Sequence, residues 1–240
     1  MTVIYENKIN VESIPYSGVY VWFSEEYSCS GHRELLSWPV SRRYRICKRI
    51  FDVVLASVAF LVSLPILLIA GLAIRLTSRG PVIFKQKRAG LMGKTFTMYK
   101  LRTMKAGQTG DVYYGPQEGR NGPAFKLKND PRITWVGRFL RRTSIDELPQ
   151  LMNVIMGQMS LVGPRPLPLD QVRVDSVEER SRLTVKPGIT GLWQVSGRAD
   201  VPYEAWIEMD LYYVQHQSLW LDAQILFKTI PAVLSCRGAY

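Results

Sequence analysis

Two neighbouring carboxylates, Asp146 and Glu147, stand in the stretch Arg141-Arg142-Thr143-Ser144-Ile145-Asp146-Glu147-Leu148-Pro149-Gln150. One reading is structural: Ser144 and Glu147 have the spacing of a capping box, and acidic residues favour helix starts. A second reading is chemical. Pro149 tolerates only a first helical turn, so the helix begins close to Asp146. Backbone N–H groups and the helix dipole there attract phosphate. Arg138, Arg141 and Arg142 lie just before the pair. Positive surroundings keep an aspartate ionised, and an ionised aspartate can attack phosphorus.

Val162-Gly163-Pro164-Arg165-Pro166 supplies a complementary cation. Prolines on both sides hold Arg165 on stiff, non-helical backbone. A preorganised guanidinium suits two-pronged recognition of phosphate; the plain alternative is a solvated loop arginine. Arg88, Arg102 and Arg132 are further cations beside turns, each by itself as well explained as surface. Gly90-Leu91-Met92-Gly93-Lys94-Thr95 echoes a phosphate-binding loop, but that motif needs glycine where Arg88 stands. A turn between two strands accounts for it better.

The whole chain must supply elements to hold these groups. Its 240 residues fit one domain with an appendage, and 47% hydrophobic content excludes wholesale disorder. A formal charge of +11 favours a polyanionic partner: nucleic acid, an anionic membrane or a phosphate-bearing substrate. Cys29, Cys47 and Cys236 are far apart and odd in number, which suits a reducing compartment without a required disulfide. Only His32 and His216 are present, so a histidine-rich metal site is not expected. Met1 to Asn10 is polar and does not read as a cleavable signal peptide.

From Val53 to Ile74 no residue is charged. As a helix this stretch reaches about 33 Å, the thickness of a hydrocarbon core. A buried soluble helix is the alternative. Arg42, Arg43, Arg45, Lys48 and Arg49 precede it, and Arg75, Arg79, Lys85, Lys87 and Arg88 follow. Cytoplasmic flanks are the basic ones, so both ends read as cytoplasmic. Pro65 lies near the middle, with Ser63 able to bond backbone groups that a kink frees. A helix broken at Ser63 and Pro65 that dips in and returns satisfies both facts; a kinked simple span is the alternative.

The organisation expected is a variable head over 1–45, a basic-flanked re-entrant membrane helix over 46–80, and a cytosolic domain over 81–240. The fold class is α/β or α-rich: a single cytoplasmic catalytic domain with that membrane helix and interfacial amphipathic helices. Val3–Tyr5 and Val19–Phe23 read as short strands in the head. Val82–Phe84 and Phe96–Tyr99 read as strands, 105–124 as a glycine-rich loop, and 132–143 and 147–157 as helices. Pro202 to about His216 is a further helix. Residues 219–235 are apolar but interrupted by Asp222 and Lys228, so they suit core or a membrane interface with Trp220 at headgroup level.

Several motifs then occur in order. Lys48-Arg49-x-Phe51-Asp52 leads into the apolar run. Gln86-x-Arg88-x-Gly90, Leu101-Arg102-Thr103-Met104 and Asn129-Asp130-Pro131-Arg132-Ile133-Thr134 follow. Ser144 to Gln150, Gly163-Pro164-Arg165-Pro166 and Pro187-Gly188-Ile189-Thr190-Gly191 complete the series. Over residues 46–240 the chain resembles the bacterial sugar transferases, the monotopic polyprenyl-phosphate phosphoglycosyl transferases. The resemblance implies a re-entrant helix at the cytoplasmic face of the inner membrane. It implies that Asp146 takes a phosphosugar from a UDP-sugar, releasing UMP, and passes it to polyprenyl (undecaprenyl) phosphate. This would be the first membrane step of exopolysaccharide, capsule or O-antigen synthesis.

Glu147 matches the partner carboxylate associated with Mg²⁺, with Asp146 beside it as second ligand. Arg165 matches a phosphate ligand, and Arg88, Arg102, Arg132, Arg142 and Arg198 are the other cations expected to meet substrate. Trp193-Gln194-Val195-Ser196-Gly197-Arg198 resembles members that transfer glucose or galactose 1-phosphate. Two departures stand out. The family's helix break reads Ser-Pro, whereas Leu64 separates Ser63 from Pro65 here. The head does not match the four-helix membrane bundle of longer members, so the likeness is to a short form.

Partners expected on this basis are the UDP-sugar, polyprenyl phosphate and anionic headgroups of the bilayer, with a homodimer left open. A nucleic-acid partner is not expected: it would leave Val53–Ile74 unexplained, and the basic runs lack interleaved aromatics. The rival reading is a non-catalytic membrane-associated scaffold of a polysaccharide assembly complex, basic enough to bind anionic lipid. The topology is directly testable. In a chain cleared of its own cysteines, Arg45→Cys and Arg79→Cys should both react with reagent only from the cytoplasmic side. Labelling of either from outside the cell would mean a span.

Overall fold

The computed structural model describes residues 40–105, 130–172, 176–198 and 201–236. The strands expected at Val3–Tyr5 and Val19–Phe23, and nearly all of the 105–124 loop, lie outside them.

Helix α1 runs from Arg42 to Thr77, 36 residues, with the Ser41 hydroxyl accepting from the Tyr44 amide at its start. Its apolar side chains are mostly uncovered: Leu68 is 73% exposed and Leu76 77% exposed. That separates it from the core helix of a soluble protein, which buries what it carries. Only Asp52, Ala56, Ser63, Ala70 and Ile74 are buried along it. The break expected at Pro65 is absent, and the helix passes through it without interruption. One proline deletes one hydrogen bond, and the intact turns on either side carry the helix across. The Ser63 hydroxyl donates to the Phe60 carbonyl at 2.9 Å, the neighbour of the Leu61 carbonyl that Pro65 deprives.

Strands β1 (Ile83–Ala89) and β2 (Thr95–Leu101) form an antiparallel hairpin, with Ile83 opposite Leu101 and Ala89 opposite Thr95. Its turn is the Leu91–Gly93 segment, so the phosphate-loop echo is a plain connection as expected. Helix α2 (Trp135–Arg142) is followed by a 3-10 turn at Ile145–Glu147 and helix α3 (Gln150–Ile155). The apolar face of α2, through Val136 and Leu140, packs with Leu101 against Ala70 and Ile74 of α1.

Strand β3 (Ser160–Val162) pairs in parallel with β4 (Gly188–Thr190), across a connection that carries helix α4 (Val177–Arg182). Gly188 is required here: a Cβ on it would lie 2.1 Å from the Gly163 nitrogen. Helices α5 (Leu192–Ser196), α6 (Tyr203–Gln215) and α7 (Leu219–Leu234) finish the fold. The hairpin, the helix after Pro202 and the helix over 219–234 match expectation. The described residues form mixed helix and sheet, with two small sheets among helices.

The first turns of α1 fasten these parts together. Arg49 donates through Nη1 to the Val154 carbonyl (2.6 Å) and through Nη2 to the Ile155 carbonyl (2.8 Å), at the end of α3. Asp52, 3% exposed, accepts from the Ser160 hydroxyl (2.8 Å) and the Leu161 amide (3.1 Å) in β3. Lys48 pairs with Asp222 of α7 at 2.8 Å and also reaches the Val162 carbonyl. Removing the Asp52 carboxylate strands a buried hydroxyl and a buried amide. Asp52→Ala should therefore cost about 2 kcal/mol or more of stability, read as a lower midpoint in chemical unfolding. An unchanged midpoint would mean that water serves both donors.

Candidate active site

Glu147 is the centre of the charged cluster. Its Oε1 accepts from Lys100 Nζ at 2.9 Å and from Arg165 Nη2 at 2.9 Å. Burial alone would raise the pKa of this carboxyl, but Arg165 and Lys100 outweigh it and hold the group well below its ordinary range. The capping-box reading is set aside by geometry: Ser144 lies in the left-handed region at φ 58° and its side chain caps nothing. The 3-10 turn it starts carries Asp146 and Glu147 in succession, with Asp146 buried. Pro149 sits at the α3 cap, as the restriction on proline requires.

Each cation is placed by a different element. Lys100 comes from β2, whose edge is held by the fully buried Asn153 of α3. Asn153 accepts from the Tyr99 amide at 3.1 Å and donates to the Thr97 carbonyl at 2.7 Å. Arg165 lies between its prolines just after β3, and its carbonyl accepts from Arg182 Nη2 at 3.3 Å. Arg182 is itself buried and paired with Glu179 (2.9 Å) and Asp210 (2.8 Å), so this support is rigid. Tyr213 fixes the same loop from the other end, donating to the Val162 carbonyl at 3.0 Å.

The predicted site residues divide. Glu147 and Arg165 are brought together at 2.9 Å, with Asp146 next to Glu147 in the chain. Arg198, in the left-handed region at φ 55°, joins them electrostatically. Burial pushes its guanidinium below the ordinary value, Glu147 pulls it back up, Arg165 lowers it and Asp146 raises it. Arg88 adjoins the same loop, donating to the Pro166 carbonyl at 3.3 Å and to the Gln86 side chain. Arg102 is elsewhere: its guanidinium donates to the Arg79 carbonyl (2.6 Å) and the Ser78 carbonyl (2.8 Å), closing the end of α1. Arg132 is tied to Asp130, and Arg142 is exposed in the last turn of α2. Lys100 was missed by sequence reasoning, although a lysine inside the otherwise uncharged run Phe96–Leu101 is the signal that marks it.

Among the described residues no group of three His, Cys, Asp or Glu side chains converges on a metal position. Asp146 and Glu147 are the oxygen donors at hand. Two carboxylates suit magnesium, which keeps waters and takes substrate phosphates as remaining ligands. What the cluster offers is two adjoining carboxylates inside a cationic frame, which fits a negatively charged phosphorus centre better than a neutral substrate.

The chain is similar to known proteins over most of its length. A family model described as "Bacterial sugar transferase" matches residues 43–236. The chain is 43% identical over 202 residues to "Exopolysaccharide production protein ExoY" of Rhizobium meliloti, covering 81% of this chain and 88% of that one. It is 43% identical over 207 residues to "Undecaprenyl-phosphate galactose phosphotransferase" of Salmonella typhimurium, covering 83% and 43%. It is 41% identical over 214 residues to "UDP-glucose:undecaprenyl-phosphate glucose-1-phosphate transferase" of Escherichia coli, covering 86% and 44%. The chain thus spans less than half the length of the last two.

The charge state of Glu147 can be checked by acid unfolding. Its folded pKa lies below the ordinary 4.5, so its pairing stabilises the fold above that pH and is lost as pH falls through the folded value. The stability gap between wild type and Glu147→Gln should be constant above about pH 5 and shrink below about pH 4. A gap independent of pH would show that the pairing is not ionic.

Proposed function

The chain belongs to the bacterial sugar transferases, and from that premise we propose that it moves a sugar 1-phosphate from a UDP-sugar to polyprenyl phosphate. A carboxylate oxygen of Asp146 attacks the phosphorus that bears the sugar. The bond to the bridging oxygen breaks, and UMP leaves with that electron pair. The aspartyl phosphosugar is then attacked at the same phosphorus by a phosphate oxygen of the lipid, which restores the Asp146 carboxylate and yields a polyprenyl diphosphate sugar. The names of the Salmonella and Escherichia relatives favour galactose or glucose as the sugar, and that of ExoY favours exopolysaccharide synthesis as the setting.

The observation that carries this reading is the buried Asp146 beside a Glu147 that two cations hold ionised. Lys100 and Arg165 neutralise charge where a diphosphate must approach a carboxylate. Arg198 adds a third cation in electrostatic reach. Magnesium, held by Asp146 and Glu147, would supply charge neutralisation of the diphosphate at short range. The exposed apolar length of α1 supports a membrane seat, where the lipid acceptor resides. A scaffold without catalysis would have no need to keep Asp146, Glu147 and Arg165 in one cluster.

With UDP-sugar, magnesium and no lipid acceptor, the full chain should release about one UMP per enzyme and gain the mass of one phosphosugar. Asp146→Asn should lose the adduct and turnover together, by a factor on the order of 10³ or more. EDTA should suppress both in the wild type, and added magnesium should restore them. Product formation by Asp146→Asn without any adduct would replace the covalent route with direct attack by the lipid phosphate.

A further inference from the structure

The loop that carries Arg165 has few donors of its own, because Pro164, Pro166 and Pro168 have no N–H. Its carbonyls are held from outside instead. The Gly188 amide donates to the Pro164 carbonyl at 2.9 Å, and the Ala89 amide to the Leu167 carbonyl at 3.1 Å. The Pro166 carbonyl accepts from Arg88 at 3.3 Å. The carbonyl of Arg165 itself accepts from a buried side chain, Arg182 Nη2, at 3.3 Å.

One oxygen sets the direction of Arg182. Its Nε donates to Asp210 Oδ2 at 2.8 Å, and Nη2, which also serves the Arg165 carbonyl, lies 2.8 Å from the same oxygen. Trp206 Nε1 donates to that oxygen as well, at 2.8 Å, while Arg182 Nη1 goes to Glu179 at 2.9 Å. Helix α4 thus supplies both charged groups that act on Asp210, Arg182 and Glu179. On the Asp210 helix, α6, Tyr203 donates to Glu179, and Trp206 packs on Trp193 of α5 with ring centres 4.3 Å apart. Burial lowers the Arg182 pKa, but Asp210 and Glu179 more than reverse this, so the guanidinium stays charged. Asp210 behaves differently: burial raises its pKa to about 6, with Arg182 and Trp206 pulling it back and Glu179 pushing it up. It is therefore ionised above that pH and neutral below. A neutral carboxyl accepts more weakly than a carboxylate, so its protonation loosens the guanidinium that holds the Arg165 carbonyl.

We propose that Asp210 is a positioning residue for Arg165: acting through Arg182, its carboxylate keeps the Arg165 loop where the guanidinium can meet both Glu147 and the substrate phosphate. The inference rests on the phosphate role given to Arg165 in the proposed function and adds a group that touches neither substrate nor metal. It also makes the grip on substrate sensitive to a single proton. Glu147 adds no transition in the same range, because Arg165 and Lys100 overcome its burial and hold its pKa well below the ordinary value.

The test follows UMP release by the full chain from UDP-glucose or UDP-galactose with magnesium. Lipid acceptor is left out, because its own phosphate titrates at about pH 6. In the wild type the half-saturating UDP-sugar concentration should rise about tenfold as pH falls from about 8 to about 5. The transition should be centred on about pH 6. Asp210→Asn should show the raised value at every pH, with the maximal rate changed far less. Trp206→Phe removes a donor that favours the carboxylate, so it should move the transition to higher pH. Asp210→Asn added to Arg165→Ala should weaken UDP-sugar no further than Arg165→Ala alone. A transition that survives in Asp210→Asn overturns the proposal, as does a full extra loss in the double variant. If Asp210→Asn does not fold, Trp206→Phe decides, and an unshifted transition overturns the proposal. The Arg165 Nε resonance, identified by its loss in Arg165→Lys, needs no turnover. It should titrate with the same midpoint in the wild type and not in Asp210→Asn. A preparation that shows this titration without releasing UMP overturns the proposed reaction alone. One that releases UMP without the titration overturns this inference alone.

Discussion

The grip of α1 on the rest of the chain is the constraint from which the other geometry follows. Three residues within five positions, Lys48, Arg49 and Asp52, reach α7, the end of α3 and the start of β3. Those contacts are charged hydrogen bonds made in buried or half-buried surroundings, where breaking one partner costs far more than an exposed pair would. A long apolar helix could otherwise swing as a loosely attached rod. Here it enters the domain as a fixed member, and α3 and β3, which flank the Ile145–Glu147 turn and the Arg165 loop, are positioned against it.

A second consequence concerns how cationic groups are kept near a carboxylate without collapsing the site. Lys100 and Arg165 share one oxygen of Glu147. Each is held from behind: Lys100 through the strand that Asn153 clamps, Arg165 through prolines and the buried Arg182. Preorganisation of this kind holds both donors in place before any anionic ligand arrives. The close parallel pairing of β3 with β4, which only glycine at 163 and 188 permits, sets the depth of the Arg165 loop.

Much of this could be read in the sequence. The hairpin, the long uncharged helix and the two last helices were legible because each has its own periodicity or its own proline and turn signals. Proline restricts the backbone beside Asp146, Glu147 and Arg165, and the structure pairs Glu147 with Arg165. One expectation failed and one of two open readings was set aside, each for a local reason. Pro65 does not interrupt α1, since neighbouring turns span one missing bond, and Ser144 does not cap, since its backbone is left-handed.

The division among the arginines shows where sequence stops. Type, charge and motif membership are properties of a chain position; they set Arg165 apart through its prolines but did not separate Arg88, Arg102, Arg132, Arg142 and Arg198. Which carbonyl or carboxylate a guanidinium meets depends on segments far apart in the chain. Arg102 closes the end of α1, some 24 residues earlier, whereas Arg165 meets Glu147 across 18. Lys100 meets Glu147 only because β2 lies against the turn at Ile145–Glu147. The sequence by itself determined the elements, the acidic pair and the excess of positive charge. The tertiary structure decided which charges face one another, because ion pairing falls off within a few ångströms and only folding sets distances on that scale.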